Sequence, residues 1–367
     1  MTRTISVGII GASPDRGWAA VAHIPALKSI PDFALTAVST TRASTAAESA
    51  RQFGVAHAFD NHHDLVTCPD VDLVVVAVKV PHHYELVSAA LEAGKAVYCE
   101  WPLGNGLAET AELAELARRK GLHAVVGLQA RSAPAINYVR DLIQQGYVGE
   151  VLSTTLIGSG MNWGPVMEQP NAYTGDIRNG ATMLTIPLGH TVDALCHVLG
   201  EITEVTATAA NRNTRFTVAE TGEVLPMTAH DQLCVTGLLG NGAALAIHYR
   251  GGVSRGTNLL WEINGSEGDI QIVSNGGHAQ MFELSVLGAR GGETALQALP
   301  VPGRYRWAPP QPAPGFSFNV AQAYVRLAQD LRDGTRLCPT FDDAVIRHKL
   351  LHAIETAART GERQRVN

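Results

Sequence analysis

The stretch Thr4-Ile5-Ser6-Val7-Gly8-Ile9-Ile10-Gly11-Ala12-Ser13-Pro14-Asp15-Arg16-Gly17-Trp18 decides the fold. Its first part, Thr4 to Ile10, is a short and mostly apolar run stopped by Gly11, as expected of a strand buried on both faces. Behind it a turn of small residues leads toward a helix. In an open parallel sheet the first strand-to-helix turn carries the phosphate loop: small residues let the backbone approach a pyrophosphate, and the helix N-terminus offers unpaired N–H groups to the anion. Here Gly11 supplies the tight turn, Ser13 stands where a second glycine would be, and Gly17 arrives one residue late between Arg16 and Trp18. The fingerprint is imperfect, and its weight comes from its place after a first buried strand.

Working outward, Val-rich apolar runs recur at 34–38, 71–78, 96–99 and 124–127, and segments with helical spacing alternate with them at 23–30, 43–53, 84–93 and 107–120. Strands alternating with helices predict right-handed βαβ units and an α/β, doubly wound parallel sheet of Rossmann type, expected over residues 1–128. After Arg131 the rhythm changes. A helix over 134–145 leads into apolar runs at 233–239 and 243–249 joined by Gly240-Asn241-Gly242, a strong hairpin signal. The runs 259–264 and 269–273 repeat the device around Gly265-Ser266-Glu267-Gly268. Residues 129–367 are expected to form an α+β domain with a large antiparallel sheet, an irregular loop over 301–314, and two closing helices over 318–332 and 342–360. A one-layer sheet must cover its second face, so a homodimer or homotetramer through that face is expected.

The chain has 367 residues, 46% of them apolar and 17% charged, with a mean hydropathy of +0.04. That is enough for about two domains with cores of their own. A formal net charge of -6 without charge runs leaves no footprint for nucleic acid. The apolar run at 71–78 falls far short of the roughly 20 residues of a membrane span, and no leader pattern opens the sequence. Five scattered cysteines, never in a CxxC pair, fit a reducing cytoplasm. The adjacent pairs His62-His63 and His82-His83 are expected to point apart, and no metal site is expected.

An acidic residue about 20 positions after the loop normally binds the ribose 2'-hydroxyl. Here Ser39-Thr40-Thr41-Arg42 stands at that place, with hydroxyls and a guanidinium suited to a 2'-phosphate. Ser39, Thr41 and Arg42 therefore point to NADP, with NAD possible. Alternatively Arg42 is a solvated residue at the start of the next helix.

The segment Leu91-Glu92-Ala93-Gly94-Lys95-Ala96-Val97-Tyr98-Cys99-Glu100-Trp101-Pro102-Leu103 resembles the signature of the Gfo/Idh/MocA oxidoreductase family, in which a Glu-Lys-Pro triplet follows Glu-Ala-Gly-Lys. The Gly11 loop, His83, Gln129, Arg131, the Gly189-His190-Thr191-Val192-Asp193 segment and the Gly265 turn fall in family order. The resemblance implies NAD(P) bound to the N-terminal domain, with Val78, Lys79, His83 and Glu100 joining the cofactor set. It implies a sugar or polyol held against the C-terminal sheet, with Trp101, Gln129, Arg131, Trp163, Asp176 and Asn179 as substrate residues and His190 as the catalytic residue. Two departures stand out: the catalytic lysine is replaced by Trp101, and the aspartate four residues before the histidine by Ile186. Arg16-Gly17-Trp18-Ala19, Val78-Lys79-Val80 and Leu188 are similar to the fungal galactose-pathway repressor subgroup, whose fold binds a dinucleotide in a regulatory role.

Alcohol oxidation by hydride transfer needs a base for the hydroxyl proton and a donor that steadies the developing alkoxide. Trp101 can do neither, though its indole can stack on a sugar ring or cover a nicotinamide. His190 can act as base, or it is a core histidine bonded to a carbonyl. Lys79, Asp176 and Arg178 are candidates for replacement charge. Trp163 either lines a sugar pocket or plugs the loop after a strand, and Glu100 either faces cofactor and substrate or is a surface carboxylate. Two functions follow: an NAD(P)-dependent oxidoreductase on a sugar or polyol, or a silent dinucleotide and sugar sensor with a protein partner. A third, an interaction protein with a vestigial loop, is weaker.

Overall fold

The computed structural model describes residues 3–310 and 315–366. By internal contacts the chain divides into two compact units, residues 1–129 with 306–346, and residues 130–305 with 347–367.

In the first unit six parallel strands follow the predicted rhythm: β1 (Ile5–Ile10), β2 (Phe33–Ser39), β3 (His57–Phe59), β4 (Leu73–Val76), β5 (Ala96–Glu100) and β6 (Ala124–Gly127). Their order, β3-β2-β1-β4-β5-β6, reverses direction between β1 and β4, the switch point of a Rossmann sheet. The connections carry α1 (Ile24–Ser29), α2 (Ala43–Phe53), α3 (His62–Thr67), α4 (His83–Glu92) and α5 (Leu107–Lys120). Gly54 and Gly121 end α2 and α5 in the left-handed conformation, as helix-stopping glycines do. The periodicity missed β3 and α3, which are too short to show a period. It also placed the first helix late: a π-helical turn over Ala19–His23 precedes α1.

The second unit holds α6 (Pro134–Gln144), α7 (Gly189–Leu199) and most of a broad sheet. Its strands are β7 (Val151–Ser159), β8 (Val166–Met167), β9 (Ile202–Ala210), β10 (Arg215–Val218), β11 (Val224–Pro226), β12 (Gln232–Leu239), β13 (Ala244–Arg250), β14 (Leu259–Gly265), β15 (Gly268–Ser274), β16 (Ser285–Arg290), β17 (Gln297–Ala298) and β18 (Gln364–Arg365). Nine of them form one sheet in the order β17-β16-β15-β14-β7-β13-β12-β9-β18, while β11-β10-β8 form a small separate sheet. Both predicted hairpins are present, β12 with β13 and β14 with β15. The large sheet is mixed rather than wholly antiparallel, because β7 enters between β13 and β14 and runs parallel to β13. Along β12, Leu233, Val235 and Leu239 are buried while Cys234, Thr236 and Leu238 are exposed, so one sheet face is core and the other is open in this chain.

The closing helices are α8 (Phe318–Asp333) and α9 (Phe341–Thr360). The division differs from the single boundary expected near residue 128, since residues 306–346 return to the first unit. Val320, Tyr324 and Leu327 of α8 join the core of Val7, Ile9, Ala26, Leu27 and Val75. Buried Asp330 accepts from the Leu337 and Cys338 N–H groups, and the Val126 N–H donates to the Pro339 carbonyl at 2.9 Å, which lays the returning strap along the β6 edge. The expected 301–314 loop contains a short 3-10 turn at Gly303–Tyr305, and its residues 311–314 lie outside the described residues.

A buried ion cluster ties the second unit together. Arg131 donates to both oxygens of Asp193 at 2.8 Å, Arg347 Nε reaches Asp193 Oδ1 at 3.2 Å, and Arg347 also grips Glu201. Burial alone would raise the Asp193 carboxyl, but the Arg131 and Arg347 charges overcome it and hold it below the usual carboxylate value. Removing one partner of a buried pair strands the other in a low dielectric. Arg347→Leu is therefore expected to cost about 3 kcal/mol in urea unfolding. Since the folded carboxyl sits lower than the unfolded one, the Asp193 contribution is present above the unfolded value and is lost as pH falls through the folded one.

Candidate functional site

At the carboxyl ends of β1, β2 and β3 lies a cleft of about 540 Å3. Gly11, Ser13, Arg16, Ser39, Thr41, Arg42 and Val78 line it. Gly11 has φ +97°, and a Cβ there would stand 2.6 Å from both the Ala77 carbonyl oxygen and Val78 Cγ1, so only glycine fits this close crossing of loop and strand end. Gly17 (φ +96°) carries the turn into the first helix, where the Ala20 and Val21 N–H groups bond its carbonyl. Ser49 Oγ donates to the Ala12 carbonyl at 2.7 Å and Gln52 to that of Pro14, so α2 braces the loop. The loop is thus a braced, close crossing with no room for a side chain at Gly11.

Other expected cofactor residues have different surroundings. Ser39 lines the cleft but is buried, and its hydroxyl donates to the Asn61 carbonyl at 2.9 Å. Trp18 packs near Phe316, ring centroids 6.0 Å apart. His83 is buried between the carbonyls of Pro102 and Val78, its ring nitrogens 2.8 and 3.0 Å away, and its neutral ring donates to one of the two. Burial pushes its imidazole below the usual value. Lys79 is exposed just past β4. Glu100 ends β5, where both carboxylate oxygens face the Gln129 amide at 2.7 and 2.9 Å. Trp101, next along, is buried, 3% exposed, and its bond to Pro102 is cis.

Local reading of β2 found no carboxylate at the ribose position. The fold supplies two from elsewhere: Asp60, after β3, and Glu85 of α4 line the same cleft, with Asn61, His62 and His82. Parallel neighbours bring their carboxyl ends together whatever their spacing in sequence. The expectation that His62 and His63 point apart is also corrected, since at the first turn of α3 their rings lie 4.1 Å apart. His57, Cys68 and Asp70 have ligating atoms within 4.8 Å of one another, with His57 Nε2 already 3.0 Å from Asp70 Oδ2.

In the second unit His190 opens α7 and is 4% exposed, with Nδ1 buried and unpartnered. Burial, then the neighbouring His278, lower its imidazole to about 3 against an opposing pull from Asp193. His278 is itself buried and lowered to about 4. Beside His190, Thr191 accepts from the Tyr249 hydroxyl at 2.7 Å and donates to the Pro187 carbonyl. His278 and Tyr249 sit in strands or loops with no distinguishing pattern, and the sequence reading missed them. Ile186, at the family's aspartate position, is only partly buried.

The remaining substrate candidates are engaged within the unit. Arg131 holds Asp193 as above. Trp163, 1% exposed at φ +61°, donates its Nε1–H to the Thr174 carbonyl at 3.0 Å. Asp176 is gripped by Arg178, whose hydrogen bonds lower its carboxyl to about 2, and the Asn179 amide donates to the Tyr173 carbonyl.

Comparison with known proteins agrees with this geometry. Residues 5–128 match the family described as "Oxidoreductase family, NAD-binding Rossmann fold", and residues 134–274 match "Gal80p, C-terminal domain". By these matches the chain falls in the Gfo/Idh/MocA oxidoreductase family, close to its Gal80 subgroup. The galactose/lactose metabolism regulatory protein GAL80 of Kluyveromyces lactis is 29% identical over 305 residues, covering 77% of this chain and 66% of that one. The dehydrogenase aclE of Aspergillus oryzae is 36% identical over 214 residues, covering 56% of this chain and 58% of that one. Among solved structures, a super-repressor mutant of Gal80p from Saccharomyces cerevisiae superposes with TM-score 0.90 at 24% identity, covering 99% of this chain and 98% of that one. Levoglucosan dehydrogenase in complex with NADH and L-sorbose superposes with TM-score 0.87 at 21% identity, covering 99% of each. These two likenesses establish the shared fold.

With a value near 3, His190 is expected to remain a neutral imidazole throughout the physiological range. Side-chain NMR of the ligand-free protein should show no titration of His190 between roughly pH 5 and 8, the window in which an ordinary histidine changes charge.

Proposed function

We propose that this chain binds a nicotinamide dinucleotide in the Gly11 cleft and oxidises a CH–OH group of a sugar or polyol, slowly, with His190 as proton acceptor. The buried Nδ1 of His190 without a partner carries this reading, because a neutral imidazole with its proton on Nε2 would offer that nitrogen as acceptor to a substrate hydroxyl. The dinucleotide would supply the hydride acceptor. Gly11, Ser13 and Arg16 would hold its phosphates. Trp101 would offer an apolar plane where the family has lysine, and the missing alkoxide donor should cost about 10²- to 10³-fold in rate.

Arg42 and Thr41 at the cleft favour NADP, while Asp60 in the same cleft favours NAD. We favour NADP, because Arg42 is exposed at the end of β2 where a 2'-phosphate would sit. Calorimetry should give tighter binding of NADP than of NAD, and Arg42→Ala should weaken NADP selectively. Equal affinities, or a loss in NAD alone, would sink the preference.

A second reading, a sensor without turnover and with a protein partner, draws on Trp101, Ile186 and the low proton affinity of His190. Thermal shift with NAD, NADP and a panel of sugars reports binding without turnover, and nicotinamide absorbance reports hydride transfer. Turnover that is abolished by His190→Ala, with dinucleotide affinity kept, supports the enzyme. Ligand stabilisation without absorbance change across the panel rejects it in favour of the sensor.

The open face of the nine-stranded sheet, on which Thr206, Thr236, Ala246, Thr155, Glu262 and Gln271 lie in one row of the register, would be covered by a second copy. Sedimentation at micromolar concentration should give a dimer or tetramer, and a monomer would contradict this.

A further inference from the structure

In a doubly wound sheet of this order the two mononucleotide halves of a dinucleotide lie on either side of the switch point. The cleft at β2 and β3 suits the adenosine half, which puts the nicotinamide half at the carboxyl ends of β4, β5 and β6. A hydrogen-bonded chain stands there that the proposed reaction does not use. Glu100 Oε1 is 2.9 Å from His23 Nε2 as well as 2.7 Å from the Gln129 amide nitrogen, and His23 Nδ1 is 2.7 Å from the Tyr324 hydroxyl. A carboxylate only accepts, so His23 carries its proton on Nε2, and its Nδ1 accepts from Tyr324.

His23 and Tyr324 are wholly buried, and the Glu100 side chain is 13% exposed. A Cβ on Gly127 would lie 2.7 Å from Glu100 Oε1, so the backbone of β6 is kept bare to admit the carboxylate. Gln129 Oε1 is buried and has no hydrogen-bond partner.

We propose that this anchored carboxylate makes the chain discriminate the oxidation state of its dinucleotide, binding the oxidised form more tightly than the reduced one. The oxidised nicotinamide ring is cationic and the reduced ring is neutral, while the rest of the two molecules is the same. A fixed negative charge in a poorly hydrated place acts on that single difference. His23, Tyr324 and Gln129 are positioning residues that hold the charge still. The inference rests on the dinucleotide reading above and holds for an enzyme or a sensor alike.

The test is calorimetric titration of the full chain with NADP+ and NADPH, and with NAD+ and NADH. The oxidised form should bind about tenfold more tightly, and Glu100→Gln, which keeps the shape and removes the charge, should bring the ratio to within about threefold. Tyr324→Phe should move the ratio the same way by less, whereas a merely structural role would weaken both forms equally. A wild-type ratio of one overturns the proposal without any variant having to fold, and so does a ratio unchanged in Glu100→Gln. Failure of every dinucleotide to bind overturns the dinucleotide reading itself, and this proposal with it.

Discussion

A parallel strand in the middle of a sheet must be covered on both faces, and β1 imposes that constraint on the first unit. Val7 and Ile9 are fully buried between β2 and β4. Crossover helices are the means by which parallel strands are joined and covered at once. They do not cover everything here. The apolar stripe of α8, nearly two hundred residues after β6, completes the layer over β1 and β4, and the strap held by Asp330 seals the β6 edge. The same central strand stops just before Gly11, so the residue that terminates the core element also lines the cleft.

Two buried polar groups on α7 are treated in opposite ways. Asp193 is buried but fully compensated by two guanidinium groups, and its contribution is to hold α7 and α9 in place. His190, three residues earlier on α7, is buried and left with an unpartnered nitrogen. Natural proteins seldom leave a buried polar atom unpaired without a use for it. The cluster that rigidifies α7 is thus the scaffold on which an unsatisfied imidazole is presented.

Trp101 and Ile186, two apolar residues, stand where the resembled family pattern carries a lysine and an aspartate. Trp101 is buried beside a carboxylate that the buried His23 and Gln129 hold from two sides.

From the sequence alone came the features set by local periodicity and by backbone conformation. The alternating runs gave β1, β2, β4, β5 and β6, α2 and α5 fell on their predicted residues, and the turns at Gly11 and Gly242 were legible because their left-handed backbone favours glycine. Tertiary structure decided everything that depends on which strand ends meet. It inserted β7 parallel beside β13, returned 306–346 to the first unit, and set Asp60 and Glu85 in the cleft with Arg42. It also paired His23 with Glu100 across 77 positions of sequence and with Tyr324 across 301. Neither contact has a local signature, because hydrogen bonds between buried side chains are fixed by the packing of whole elements, and no window of sequence contains both partners.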